Sequence, residues 1–175
     1  MPASQSLINI LILVPVALAV VYFDVRYRRI PNTLVLSTLV AGLAVNIIFG
    51  GLGGLIGSTK GFAFAFIPML VIHMLGAMGA GDVKLFGAIG AVLGAKLILP
   101  TFIIVVMLGG VLAVYTMLRA GTVFSTMHGV LRIFVGLLPG WEMPRFSMPA
   151  DRRHTIPYGI AITLGSIISV IAFRA

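Results

Sequence analysis

Apolar residues in this chain come in long blocks rather than in alternation or in a narrow stripe. The blocks run Leu7 to Phe23, Thr33 to Phe49, Gly61 to Met78, Val83 to Leu99, Thr101 to Leu118 and Thr155 to Phe173. A helix rising about 1.5 Å per residue needs roughly 20 apolar residues to cross about 30 Å of hydrocarbon. Each block reaches or approaches that length. Strands of a membrane barrel would alternate with a period of two, which these blocks do not, and helices satisfy their own backbone groups in lipid. The pattern predicts an all-α membrane protein with six transmembrane helices, one domain over residues 1–175.

A further apolar stretch, Val123 to Pro139, contains His128 and Arg132. An arginine at the centre of a span costs about 2.5–3.5 kcal/mol on insertion scales. This stretch is therefore expected to lie in the interface as an amphipathic helix, its charged groups wet and its aliphatic side chains in the acyl boundary. Residues 1–6 hold no Lys or Arg, so the first block lacks the basic region of a secretory signal and is expected to remain as a span.

Composition agrees: 60% of residues are hydrophobic and 9% charged, where soluble domains carry about 25% charged residues. The 12 Lys and Arg against 4 Asp and Glu do not point to nucleic acid, because they lie between the apolar blocks, where they orient a membrane protein. Arg26, Arg28, Arg29, Lys84, Arg119, Arg132, Arg145, Arg152 and Arg153 fall on one side; Lys60, Lys96 and Arg174 fall at or near the other. The positive-inside rule makes the first side cytoplasmic and puts both termini outside. No cysteine is present, which excludes disulfides and thiolate chemistry within the chain.

The four acidic residues are Asp24, Asp82, Glu142 and Asp151. Asp24 directly follows the apolar run Val20-Val21-Tyr22-Phe23, and Asp82 follows Gly79-Ala80-Gly81. The topology places both at the same cytoplasmic edge. Ionisable residues in or beside spans are expensive and are functional candidates. Position alone leaves two accounts open: Asp24 pairs with Arg26 or Arg28 and Asp82 caps a helix, or the two act together. Two carboxylates held close resist both being ionised, so one activates water while its protonated partner hydrogen-bonds a carbonyl oxygen. Glycines beside Asp82 would let a substrate backbone approach it.

Asp24-Val25-Arg26-Tyr27-Arg28-Arg29-Ile30-Pro31-Asn32 and Gly79-Ala80-Gly81-Asp82-Val83-Lys84-Leu85 together resemble the two signature segments of the type IV prepilin peptidases, membrane aspartic proteases with a Gly-x-Gly-Asp motif. Pro157-Tyr158-Gly159 also looks like the family's C-terminal pattern. The resemblance implies that Asp24 and Asp82 are the catalytic pair, supported by Gly79, Gly81, Lys84, Pro31 and Asn32. It implies a prepilin or pseudopilin substrate, cut between a basic leader and a hydrophobic helix, with no cofactor or metal. Larger members carry an N-terminal region with paired cysteines and also methylate the new N-terminus. This chain begins at its first span and has no cysteine. It resembles the short, peptidase-only branch serving Tad or Flp-type pili, so methylation is not expected.

Other residues carry weaker expectations. Lys84, two positions after Asp82, points to another face of an ideal helix and is expected to anchor the helix end by snorkelling. The arginines after Asp24 are expected to set topology and meet lipid phosphates. His73 is expected to hydrogen-bond between helices. Glu142 and Asp151, in the loop Trp141 to His154, are candidates to meet a basic leader. A transporter using the two aspartates is the rival reading; it requires polar residues through the membrane, and apart from His73 and Asn46 the spans offer few.

Overall fold

The structure, a computed structural model, describes residues 3–74, 78–121 and 158–173. It is all helical there: α1 (Ala3–Tyr27), α2 (Asn32–Met74), α3 (Ala80–Ala120) and α4 (Tyr158–Ala172). The first three are long and apolar enough to cross a membrane, and α4 is a shorter apolar helix. The expected interfacial helix at 123–139 and the loop with Glu142 and Asp151 lie outside the described residues.

Straight helices of 43 and 41 residues would be over 60 Å long, about twice the hydrocarbon thickness. Both instead fold back on themselves at a glycine. In α2 the reversal is at Gly51 (φ 52°, ψ −137°). Asn46 and Ser58, on opposite sides of it, consequently reach the same carbonyl of Ala91, at 2.9 Å and 2.6 Å. In α3 the reversal is at Gly94 (φ 71°, ψ 174°), and Phe86 and Phe102 meet across it with ring centroids 6.0 Å apart. Positive φ is costly for a residue with a Cβ, so glycine takes both corners.

The sequence pattern placed the break in α3 beside Pro100; the structure puts it at Gly94 instead. Pro100 lies inside the second arm. The reason is the tertiary surroundings. A reversal leaves the last carbonyls of the first arm without helical partners, and in an apolar medium these must be satisfied. Asn46 Nδ2 donates to the carbonyls of Gly42, Ala91 and Val92, and Ser58 Oγ to that of Ala91. The helix can stop at Gly94 because α2 brings those donors there.

The first arm of α3 is the centre of the core: Leu85, Phe86, Ile89, Val92 and Leu93 are fully buried. Close approach of α2 depends on small residues. A methyl on Gly61 would run into the backbone of Gly90 and Gly94. α4 runs antiparallel to the second arm of α3, with Ser169 beside Thr101 (2.7 Å), Gly165 against Val105 and Tyr158 against Gly109. Leu11, Leu18, Ile48, Leu52, Met107 and Val111 face outward with most of their surface exposed, as side chains bathed by lipid would.

Two polar residues inside the apolar helices stand out. Among the described residues His73 is bonded to a residue just beyond its own helix rather than to another helix: its Nδ1 lies 2.7 Å from the carbonyl of Met78, five residues on, so that nitrogen donates. Asn9 is fully buried in α1, and neither amide atom has a hydrogen-bond partner among the described residues.

Candidate active site

Four chain segments meet where the two aspartates lie. Asp24 sits in the last turn of α1, which ends as Arg28 takes a left-handed conformation (φ 50°) with its N–H on the Asp24 carbonyl at 3.1 Å. The chain then doubles back through Ile30 and Pro31. The Pro31 carbonyl accepts the N–H groups of Leu34 and Val35 and so opens α2. Proline suits the start of a helix, where its missing N–H is not needed.

Asp82 is in the first turn of α3, whose N-cap is Gly79 in an extended conformation. It is thus the third helical residue rather than the cap itself. From there its carboxylate turns back toward the Gly79 N–H, as an acid at that position does in a capping box. A Cβ on Gly79 would lie 3.1 Å from Asp82 Oδ2, so the glycine leaves the carboxylate room.

Asp24 and Asp82 lie close enough for the charge of one to act on the other. Asp82 therefore stands at the entry of α3 without being its N-cap, and within electrostatic reach of Asp24. Arg28 acts on Asp24, and the N–H of Gly159 is directed at the same carboxylate. Asp24 Oδ2 is shut off from solvent and has no hydrogen-bond partner among the described residues. An unsatisfied carboxylate oxygen is costly in a buried place and is a group poised for a further ligand.

The structure brings the expected supporting residues together. Lys84 Nζ donates to Asn32 Oδ1 at 3.4 Å, joining the two motifs. The bond gives the lysine a named partner in the other motif. Gly81 faces Ile30, whose Cβ would stand 3.6 Å from a methyl there.

Three residues to which the sequence assigned no part also belong to the site. Ile30 packs toward Gly81 and toward Gly159, so its side chain lies between the entry to α3 and the entry to α4. Gly159 admits Asp24: a methyl on it would come 2.8 Å from Val20 Cγ1 and 3.1 Å from Asp24 Oδ2. Tyr158, the first residue of α4, is within electrostatic reach of Asp82. All three stood out in the sequence only as members of the segments that carry the family resemblance.

Chemically, the site is a pair of carboxylates from two helices, with glycines where side chains would otherwise crowd them. One ionised and one protonated carboxyl at such a place can perform general base and general acid catalysis together.

The sequence profile of the type IV leader peptidase family matches residues 11–114, which include both aspartates. A prepilin leader peptidase/N-methyltransferase of Bacillus subtilis (strain 168) is 25% identical over 169 residues. That alignment covers 95% of this chain and 56% of the relative, so the chain spans little more than half of the relative's length. No solved structure matches the chain significantly.

Proposed function

The chain belongs to the type IV leader peptidase family, and on that footing we propose that it is an aspartic endopeptidase that removes the leader of a prepilin or pseudopilin, with Asp24 and Asp82 as its catalytic pair. The observation that carries the reading is that two carboxyl groups, delivered from different helices between glycines, lie within electrostatic reach of each other.

In the reaction, one carboxylate takes a proton from water as the water oxygen bonds to the scissile carbonyl carbon. Its protonated partner hydrogen-bonds the carbonyl oxygen. Collapse of the tetrahedral intermediate breaks the C–N bond, and the leaving amine takes a proton from the carboxyl group. The order of the two carboxyls belongs to the coupled pair rather than to either residue alone.

The arms 32–50 and 52–74 of α2, the arms 80–93 and 95–120 of α3, α1 and α4 are read as six crossings of the cytoplasmic membrane. The fold-backs at Gly51 and Gly94 support this. So do Arg26, Arg28, Arg29, Lys84 and Arg119, all of which fall at the aspartate end. The site then opens at the cytoplasmic rim, where a basic leader joins a hydrophobic helix. We assign the substrate to the Flp type and confine the activity to hydrolysis, without methyl transfer.

A transport role is less well supported, because Asn46 and Ser58 are engaged by helix carbonyls and not by the carboxylates.

The test is co-expression with an Flp-type prepilin, with leader removal followed by electrophoresis. Asp24→Asn and Asp82→Asn are each expected to abolish it, and full processing by either variant would sink the assignment. Mass spectrometry of the processed pilin should find an unmethylated N-terminus.

A further inference from the structure

At this site the protonated carboxyl gives the scissile carbonyl oxygen one hydrogen bond, and a second donor aimed at that oxygen would strengthen the hold on it in the transition state. As water adds, the carbonyl oxygen becomes negative, and donors aimed at that oxygen account for a large share of catalysis in acyl-transfer enzymes. Such donors are often backbone N–H groups. Here the N–H groups at the helix entries are already directed elsewhere, Gly79's at Asp82 and Gly159's at Asp24. Lys84 is exposed and bonded to Asn32. A side-chain donor from another element would therefore act beside the protonated carboxyl.

Tyr158 is placed to be that donor. It opens α4 immediately before Gly159, the residue packed on Asp24. Its ring rests against the core. Its hydroxyl end fills a notch on α3 that exists only because residue 109 is glycine: a methyl there would collide with the hydroxyl and its ring carbon. That notch is at the depth of the carboxylates. From the reversal at Gly94, Asp82 lies about 18 Å back along one arm and Gly109 about 22 Å along the other, at about 1.5 Å per residue. Tyr158 and Asp82 are also within electrostatic reach of each other.

We propose that the Tyr158 hydroxyl, seated in the Gly109 notch, is a third catalytic group that donates a hydrogen bond to the scissile carbonyl oxygen as charge develops on it. No proton is transferred from it. The hydroxyl sets the oxygen's position and the carboxyl pair carries the protons. This rests on the peptidase reading above.

The experiment is leader cleavage by the purified full chain in detergent, with kcat and KM measured on a prepilin. Tyr158→Phe keeps the ring and removes only the donor. It should lower kcat roughly 10- to 100-fold with KM within about twofold, and leave the melting temperature unchanged. Gly109→Ala should displace the hydroxyl and lower kcat similarly. Gly110→Ala, whose methyl meets nothing within 4 Å, should cleave like the parent chain. Tyr158→Phe with parental kcat would overturn the inference, as would a loss confined to KM or one matched by a fall in melting temperature. Asp82→Asn, run alongside, separates the two readings. If it is inactive while Tyr158→Phe is fully active, only the tyrosine proposal falls; if it cleaves normally, the peptidase assignment falls first.

Discussion

Lys84 and Asn32 are bonded to each other, Nζ to Oδ1 at 3.4 Å, although 52 positions separate them in the chain. The bond ties the helix that carries Asp82 to the helix entered from Asp24. Because the lysine and the asparagine are both exposed, water competes for the contact and its individual worth is small. Asn32→Ala and Lys84→Met are each expected to lower cleavage only a few-fold. If they act through this bond, the double variant should be no worse than the more affected single one, as a double-mutant cycle on kcat would read out. Multiplicative losses would show that the two side chains work separately.

Gly159 should be far less tolerant. Its backbone lies at the start of a helix, where alanine is conformationally welcome. The obstacle is space: the methyl would come 2.8 Å from Val20, which is fully buried and has nowhere to go, and 3.1 Å from Asp24 Oδ2. Gly159→Ala is therefore expected to push the Asp24 carboxylate off its position and lower kcat by roughly tenfold or more, since small misplacements of reacting groups are costly. Unchanged kcat in the cleavage assay would mean that α4 moves aside freely.

How much of this could be read from the sequence depends on the kind of signal. Asp24 and Asp82 were legible because charge is so scarce that each acid stands out, and because glycines mark one and a basic run the other. The fold-back at Gly51 was nearly legible, since the apolar pattern weakens around it. The fold-back at Gly94 was not: Gly94 and Pro100 sit in the same apolar run, and either could break a helix. What decides is Asn46 and Ser58, far away in sequence, waiting to receive the carbonyls that the break exposes. Gly109 was hidden for a similar reason, and Ile30 and Tyr158 showed only as letters of the family-like segments. An apolar residue, a glycine and a tyrosine in a membrane protein have ordinary packing roles, and only the meeting of α1, α3 and α4 puts Ile30 against Gly81 and Gly159 and seats Tyr158 against Gly109.

The carbonyl-capping pair at that break makes its own prediction. Ala91 O is served by both Asn46 and Ser58. Ser58→Ala leaves it one partner and should cost about 1 kcal/mol. Asn46→Leu also strips Val92 and should cost about 3 kcal/mol. Removing both leaves Ala91 O with nothing, so the double variant should lose more than the two singles together. Denaturant unfolding in detergent, followed by circular dichroism, checks the order and the excess.

Asn9 makes the opposite prediction. It lies in the same apolar run as Leu13, Val16 and Val20, yet it is as buried as Val20, with neither amide atom partnered among the described residues. An amide held in an apolar place without hydrogen bonds opposes folding, and an apolar residue of similar volume removes that cost. Asn9→Leu is expected to raise stability by about 1–3 kcal/mol and to leave cleavage unchanged, because Asn9 lies near the start of α1 while Asp24 lies at its end. Unfolding of the two proteins in the same detergent measures the difference. A less stable Asn9→Leu would show that the amide is satisfied by something it holds, and a buried water, the ordinary occupant of such sites, would then be the first candidate.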